Sequence, residues 1–335
     1  MPKLPSNITK PLRVLAGAAI SAGLIWVFLK DVQLGEVANS LKMADPIFVI
    51  PMIGIFFLRY WLRALRWSVL VQHLRKIRPR LALPRVIFAQ ASNIMLPFQL
   101  GYVVMVQISS RKFQLGRREL FGAEIIERIM DGFVFSLMLA LALATLAIGN
   151  GFTGLTIFML FGTTTGLCLV WFFTRPQILK KKPGTGLSKH LFRFLQSDTI
   201  TPLIHGLKAA QQKKQMFKIF LLTSFAWMAE ALLYWLVAES LGIDASPLVH
   251  IFVVAAANIG AGIPLAQSGI GLILLANLSL RGIGETAETA VAYAIGVEAI
   301  VVLPLLFLAP FAAWDMRLSW KDFDFRNTRV SKEKA

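Results

Sequence analysis

Arginines and acids set at helical intervals give this sequence its candidate chemistry. Arg59, Arg63 and Arg66 recur at spacings of four and three residues and so share one face of a helix. A guanidinium pairs with a phosphate through two parallel hydrogen bonds, which would let this face hold a lipid phosphate. The plainer reading is that the long side chains reach the membrane boundary beside Tyr60, Trp61 and Trp67. Arg66 takes that plainer reading, and both stay open for Arg59, the deepest of the three. Glu124, Glu127, Arg128 and Asp131 fall on one face of a second helix that is otherwise apolar. Charges at such depth face a bundle interior and mark a pathway or a proton relay. The alternative is an internal ladder, Glu124 with Arg128 and Glu127 with Asp131 through water. Glu230 and Glu298 each stand near the middle of a long apolar run, a costly place for an idle carboxylate.

Two apolar segments are interrupted in ways a bilayer-depth helix does not tolerate. One runs from Asn93 through Pro97 to Gly101. The other, from Asn258 to Gly271, holds Gly260, Gly262, Pro264, Gln267, Ser268 and Gly269. Glycine costs about 1 kcal/mol and proline about 3 kcal/mol inside a helix. Unpaired backbone groups in hydrocarbon cost more, so broken backbone survives there only inside protein or beside water. Each stretch is therefore expected at the tip of a re-entrant hairpin or a discontinuous helix. Interrupted segments at matching places in two halves point to a transporter's binding site.

Composition places these groups in a membrane. The chain has 335 residues, 56% of them hydrophobic, and a mean hydropathy of +0.65, far too apolar for a soluble domain. The net charge of +17 lies between the apolar runs, as in cytoplasmic loops, which argues against a nucleic-acid partner. Cys168 stands alone in an apolar run and reads as packing, and His73, His190, His205 and His250 show no metal-ligand spacing. No metal, cofactor or catalytic group is expected.

The segments follow in order. A span over Leu12 to Leu29, preceded by Lys3 and Lys10, is expected to enter from the cytoplasm as an uncleaved first helix. A second span covers Pro46 to about Leu70. Arg75, Lys76, Arg78, Arg80 and Arg85 then mark a cytoplasmic loop, and Arg85 to Ser110 a re-entrant hairpin turning at Pro97 to Gly101. Further spans are expected at about Leu120 to Ile148, Leu155 to Thr174, Phe217 to Leu241 and Thr286 to Trp314. Between the middle two lies a basic cytoplasmic segment, 175–215, in which Leu187, Leu191, Phe194 and Leu195 suggest a short interfacial helix. The stretch around Pro264 enters from the outer side. Both termini are expected in the cytoplasm of a bacterial-type inner membrane.

The fold class is therefore all-α: one integral membrane domain over 1–335, six full spans plus two re-entrant broken segments. Its halves, about 1–150 and 151–335, form an inverted repeat. Tyr60-Trp61-Leu62 matches Tyr234-Trp235-Leu236, Asn93-Ile94 matches Asn258-Ile259, and Pro97 and Gly101 match Pro264 and Gly269. Two inverted hairpins meeting near the midplane would enclose a polar cavity able to open to either face.

At these residues the chain resembles the lysylphosphatidylglycerol synthase transmembrane-region family, also called flippase-like. The resemblance covers nearly the whole chain. It rests on Arg66-Trp67, Asn93 with Leu96-Pro97 and Gly101, Glu127-Arg128 with Asp131, and Ile263-Pro264 with Gly269 and Gly271. Tyr102 follows Gly101 where that family often has a charge, and Gln267-Ser268 stands where Pro-Gly is usual. The resemblance implies a membrane protein that moves a polar or charged lipid between leaflets. The aminoacyl-transfer chemistry of the family's name belongs to a separate soluble domain.

The leading expectation is thus a lipid translocase, not an enzyme, acting on a phospholipid, a polyprenyl phosphate, or a hopanoid or glycolipid. Its binding set would be Arg59, Arg63, Arg66, Asn93, Pro97, Gly101, Glu124, Glu127, Arg128, Asp131, Glu230, Asn258, Pro264, Gly269, Gly271 and Glu298. Its partners would be anionic membrane lipids and lipid-modifying enzymes. The alternatives are a membrane glycosyltransferase on a lipid-phosphate carrier and a non-transporting partner of lipid-synthesis enzymes.

Overall fold

In a computed structural model the described residues are 32–96, 100–146, 151–175, 197, 200–260, 276, 279–281 and 284–323. All regular structure among them is helical. Helix α1 (Leu34–Lys42) leads through a 3₁₀ turn (Pro46–Phe48), capped by the Asp45 carboxylate, into α2 (Val49–Val71). Then follow α3 (Pro79–Met95), α4 (Leu100–Phe113), α5 (Arg117–Thr145) and α6 (Gly151–Phe173). A short α7 (Ile200–Gly206) continues as a 3₁₀ turn (Leu207–Gln211). After it come α8 (Lys213–Ser240), α9 (Pro247–Gly260), α10 (Ala287–Asp315) and a last 3₁₀ turn (Trp320–Phe323).

Four of these stretches are long and apolar enough to cross a membrane: Pro46–Val71, Thr153–Phe173, Lys213–Ser240 and Ala287–Asp315. They sit within a few residues of four expected spans. Helix α5, 29 residues long, falls on a fifth, but the charges of its first half keep it out of the apolar class. The sixth, Leu12 to Leu29, lies outside the described residues, as does the expected interfacial helix over Leu187 to Leu195.

Helices α2 and α8 share the largest helix–helix interface and form the spine. Each buries a face that reads both apolar and charged: Phe56, Tyr60, Ala64 and Trp67 alongside Arg59, Arg63 and Arg66 on α2, and Ala226, Trp227, Leu233 and Tyr234 alongside Glu230 on α8. Helix α5 crosses this pair, with α6 and α9 against its flanks and α3 against α2. By contrast α6 keeps Ile157, Phe158, Phe161 and Trp171 exposed, as suits a surface bathed in acyl chains.

The basic segment ends in a well-packed element. Helix α7 lies against α5 where two glycines meet: a Cβ on Gly206 would run into the Glu119 carbonyl, and one on Gly122 into that of Leu203. Small residues permit such backbone contact, and any side chain would force the helices apart.

The expected hairpin over Arg85 to Ser110 corresponds to α3 and α4, but the helices begin and end farther out, at Pro79 and Phe113. Arg85 is accordingly no loop residue. It lies inside α3, 3% exposed, one position after Pro84. The contacts pair Arg85 with Ser109, Gln90 with Tyr102 and Asn93 with Gly101, so the helices run in opposite directions side by side. The helix breaks at Leu96, whose backbone is extended (φ −110°, ψ 133°), directly before the proline. Pro97 itself lies outside the described residues, and α4 is in register again from Leu100.

The far end of α4 is pinned to the last turn. Lys112 reaches Asp322 at 3.3 Å, and the Asp322 carboxylate accepts from the Ser319 backbone N–H at 2.9 Å. Burial opposes ionisation of Asp322, but the Ser319 N–H and the Lys112 ammonium outweigh it and hold its pKa below the usual value. The pin should therefore be at full strength above about pH 4 and fade as the pH falls through the depressed value. Asp322→Asn is expected to cost no more than about 1 kcal/mol at neutral pH, as for other part-exposed pairs, measurable as a small drop in melting temperature in detergent.

Candidate functional site: a buried arginine–carboxylate network

The arginines of α2 meet the acids of α5 and α8 inside the bundle. Glu230 on α8 takes two of them: Arg63 at 2.7 Å and Arg59 at 3.3 Å. Arg59 also donates to the Tyr60 hydroxyl at 3.1 Å, and Arg63 lies 4.3 Å over the Trp227 ring. One turn along, Arg66 bridges Glu127 and Asp131 on α5, with 2.5 Å to Asp131 Oδ1, and donates to Thr223 of α8 at 3.3 Å. Trp227 Nε1 donates to the same Asp131 oxygen at 2.9 Å. Arg128 closes the group from the other side, 3.2 Å from Glu127 and 3.0 Å from Asp131. Arg85 of α3 pairs with Glu124 and donates to Ser109 of α4 at 3.0 Å.

Heptad-like spacing explains how two turns of α5 serve three helices. Glu124, Glu127 and Asp131 project from one face of α5 toward the α2–α3–α8 junction, so Glu124 meets Arg85 of α3 while Glu127 and Asp131 share Arg66 of α2. Burial of these charges is tolerable because each carboxylate faces a cation and further donors, such as Trp227 and Ser109, complete the shell.

The network brings Arg59, Arg63, Arg66, Glu124, Glu127, Arg128, Asp131 and Glu230 together. The expected partners change, however. Arg66 does not reach toward the boundary; it is 1% exposed and held by two carboxylates. The ladder within α5 gives way to pairs between helices: Glu124 meets Arg85 rather than Arg128, and Glu127 and Asp131 share Arg66 directly. Asn93 and Gly101 line the α3–α4 break beside the network, with the Asn93 amide 3.3 Å from Gln90. Glu298 on α10 lies half-buried near Glu230 and makes no ion pair among the described residues. Asn258 ends α9 and donates to Val254 O at 2.9 Å. Pro97, Pro264, Gly269 and Gly271 lie outside the described residues.

Sequence reasoning missed Arg85, Tyr102, Thr223 and Trp227. Arg85 carried a usable signal, a base directly after Pro84 at the start of the apolar run Val86 to Phe88. Tyr102 carried a weaker one, a polar aromatic next to Gly101. Its hydroxyl donates to Gln90 Oε1 at 2.8 Å and accepts from Arg128 at 3.1 Å.

A network of this kind can hold a compact charge below the apolar surface and exchange one ionic partner for another. It offers no nucleophile beside a base, and no cluster of three potential metal ligands occurs among the described residues.

Known proteins place the fold in context. The model of the lysylphosphatidylglycerol synthase TM region matches residues 14–309. The glycosyltransferase AglD of Haloferax volcanii is 22% identical over 303 residues, 81% of this chain and 49% of that protein. The chain thus spans about half the length of this curated relative. With a match over most of its length and four helices fit to cross a bilayer, the chain is an integral membrane protein belonging to the lysylphosphatidylglycerol synthase transmembrane-region family.

Proposed function

We propose that the protein moves a polar or anionic lipid between the leaflets of the membrane. The observation that carries this reading is the ion-pair network, buried between apolar helices and lying beside the broken α3–α4 hairpin. Charges in such a position are costly as scaffolding alone, since apolar side chains of like volume hold helices together as well or better. Guanidinium groups and amides at the break would take the head group, and the acyl chains would stay among lipids while it crosses. The α3–α4 pair acts as a hairpin that enters and leaves by one face. The bilayer is a bacterial-type inner membrane with both chain termini in the cytoplasm.

Protein reconstituted into vesicles with a head-labelled phospholipid should expose the label to an external quencher faster than protein-free vesicles do. Glu298→Gln, which alters a carboxylate outside every ion pair among the described residues, should slow that exposure about tenfold or more with the fold intact. Equal rates with and without protein refute the reading.

A second reading, glycosyl transfer to a lipid-phosphate carrier, draws on the likeness to AglD. Asp322-Phe323-Asp324 has the spacing of a metal–nucleotide acid pair, but Asp322 is engaged by Lys112 and Ser319. Sugar transfer from a nucleotide sugar by the purified chain would favour this reading over translocation.

A further inference from the structure

Among the described residues, the ion-paired network does not balance. It contains five guanidinium groups, Arg59, Arg63, Arg66, Arg85 and Arg128, and four carboxylates, Glu124, Glu127, Asp131 and Glu230. Glu298 stands aside from this count, since the charge it faces is the like charge of Glu230. One positive charge is left over in an apolar interior, where an uncompensated ion is costly.

The surplus has a place to be met. The side chains of Arg59, Arg63, Arg66 and Arg85 are 2, 7, 2 and 3% exposed, whereas that of Arg128 is 38% exposed. A guanidinium has five N–H donors. Arg128 directs donors at Tyr102, Glu127 and Asp131. Its plane lies 4.2 Å over the Tyr102 ring, which fixes its orientation. The hydroxyl of Tyr102 is held by Gln90, and Asn93 is one turn farther along α3, at the break. Arg59 and Arg63 share the single carboxylate of Glu230, so the surplus arises on α2, within the network that Arg128 closes.

We propose that Arg128, oriented by Tyr102 and flanked by Gln90 and Asn93, binds the phosphate of one singly charged phosphodiester head group. Such an anion carries the one negative charge the network lacks, and its planar pair of free oxygens suits a guanidinium. The mouth of the α3–α4 hairpin is then the entry subsite. The lipid source of that phosphate rests on the translocase reading; the charge accounting does not.

The test is binding to the full chain in a neutral detergent, read by native mass spectrometry. Dioleoylphosphatidylglycerol should be retained at one per protein, and dioleoylglycerol, which lacks the phosphate, about tenfold less. Arg128→Ala should reduce occupancy about tenfold, and Tyr102→Phe, which keeps every charge, about threefold. Arg75→Ala should leave it unchanged, since Arg75 is exposed and donates to Phe113 O elsewhere. If Arg128→Ala does not fold, Arg128→Lys, with its single-point charge, carries the test and should show an intermediate loss.

Inorganic phosphate that displaces the lipid from wild type but not from Arg128→Lys would mark a general phosphate site. Displacement by dihexanoylphosphatidylglycerol alone would mark a lipid head-group site; both outcomes support the chemistry. Unchanged occupancy in well-folded Arg128→Ala and Tyr102→Phe overturns the proposal, as does equal retention of dioleoylglycerol. Arg128-dependent binding without lipid movement would remove the translocase reading and leave the site. Lipid movement with occupancy indifferent to Arg128 would do the reverse.

Discussion

Arg66→Met is expected to lower folding stability by about 3–5 kcal/mol, the cost of taking one partner from a buried ion pair. The side chain lost is 2% exposed and serves three acceptors on two helices: Glu127, Asp131 and Thr223. Methionine would fill much of the volume, so a cavity is not the cause. Two carboxylates would remain with only the half-exposed Arg128 to answer them. The measurement is thermal unfolding of the detergent-solubilised chain, followed by size-exclusion fluorescence. The triple variant Arg66→Met, Glu127→Leu, Asp131→Leu should recover most of the loss, because it removes the stranded charges as well. It should not recover lipid movement. A stable, inactive triple variant would separate what the network does for the fold from what it does for the lipid.

The second large effect is expected at the crossing of α5 and α7. Gly206→Val should cost about 1–3 kcal/mol or more, because the obstacle to its Cβ is the Glu119 carbonyl and not a side chain that can turn away. Gly122→Val should behave alike, against the carbonyl of Leu203. By contrast Gly54→Val, whose Cβ would meet nothing within 4 Å, should be nearly silent. Hydrogen exchange distinguishes a local loss from a global one. Amides over 200–211 should lose protection in the Gly206 variant while those of α2 and α8 keep theirs.

Much of the architecture was legible because it depends on local pattern. Apolar length located α2, α6, α8 and α10, and the crowding of Asn93, Pro97 and Gly101 marked the place where α3 gives way to α4. The one-sided placing of Glu124, Glu127 and Asp131 correctly forecast a buried face on α5. Pairing was not legible. Arg63 and Glu230 are 167 positions apart, and Arg66 and Asp131 are 65 apart, so no periodicity within a segment joins them. Reading Arg66 as a boundary residue failed for that reason: its partners lie on another helix. Arg85 was hidden by its company, since four exposed or loop bases just before it made it look like a fifth.

The same pairs limit how the molecule can move. Arg59 and Arg63 on α2 grip Glu230 on α8, and Asp131 on α5 grips Trp227 on α8, so the first and second halves of the chain are stapled together at the centre. Rocking one half against the other as rigid blocks would tear two ion pairs and the Trp227–Asp131 hydrogen bond out of an apolar interior at once. That knot is better suited to be a fulcrum than a gate. The elements outside the knot are freer of it, α6 above all, whose Ile157, Phe158 and Phe161 lie exposed rather than packed into the centre.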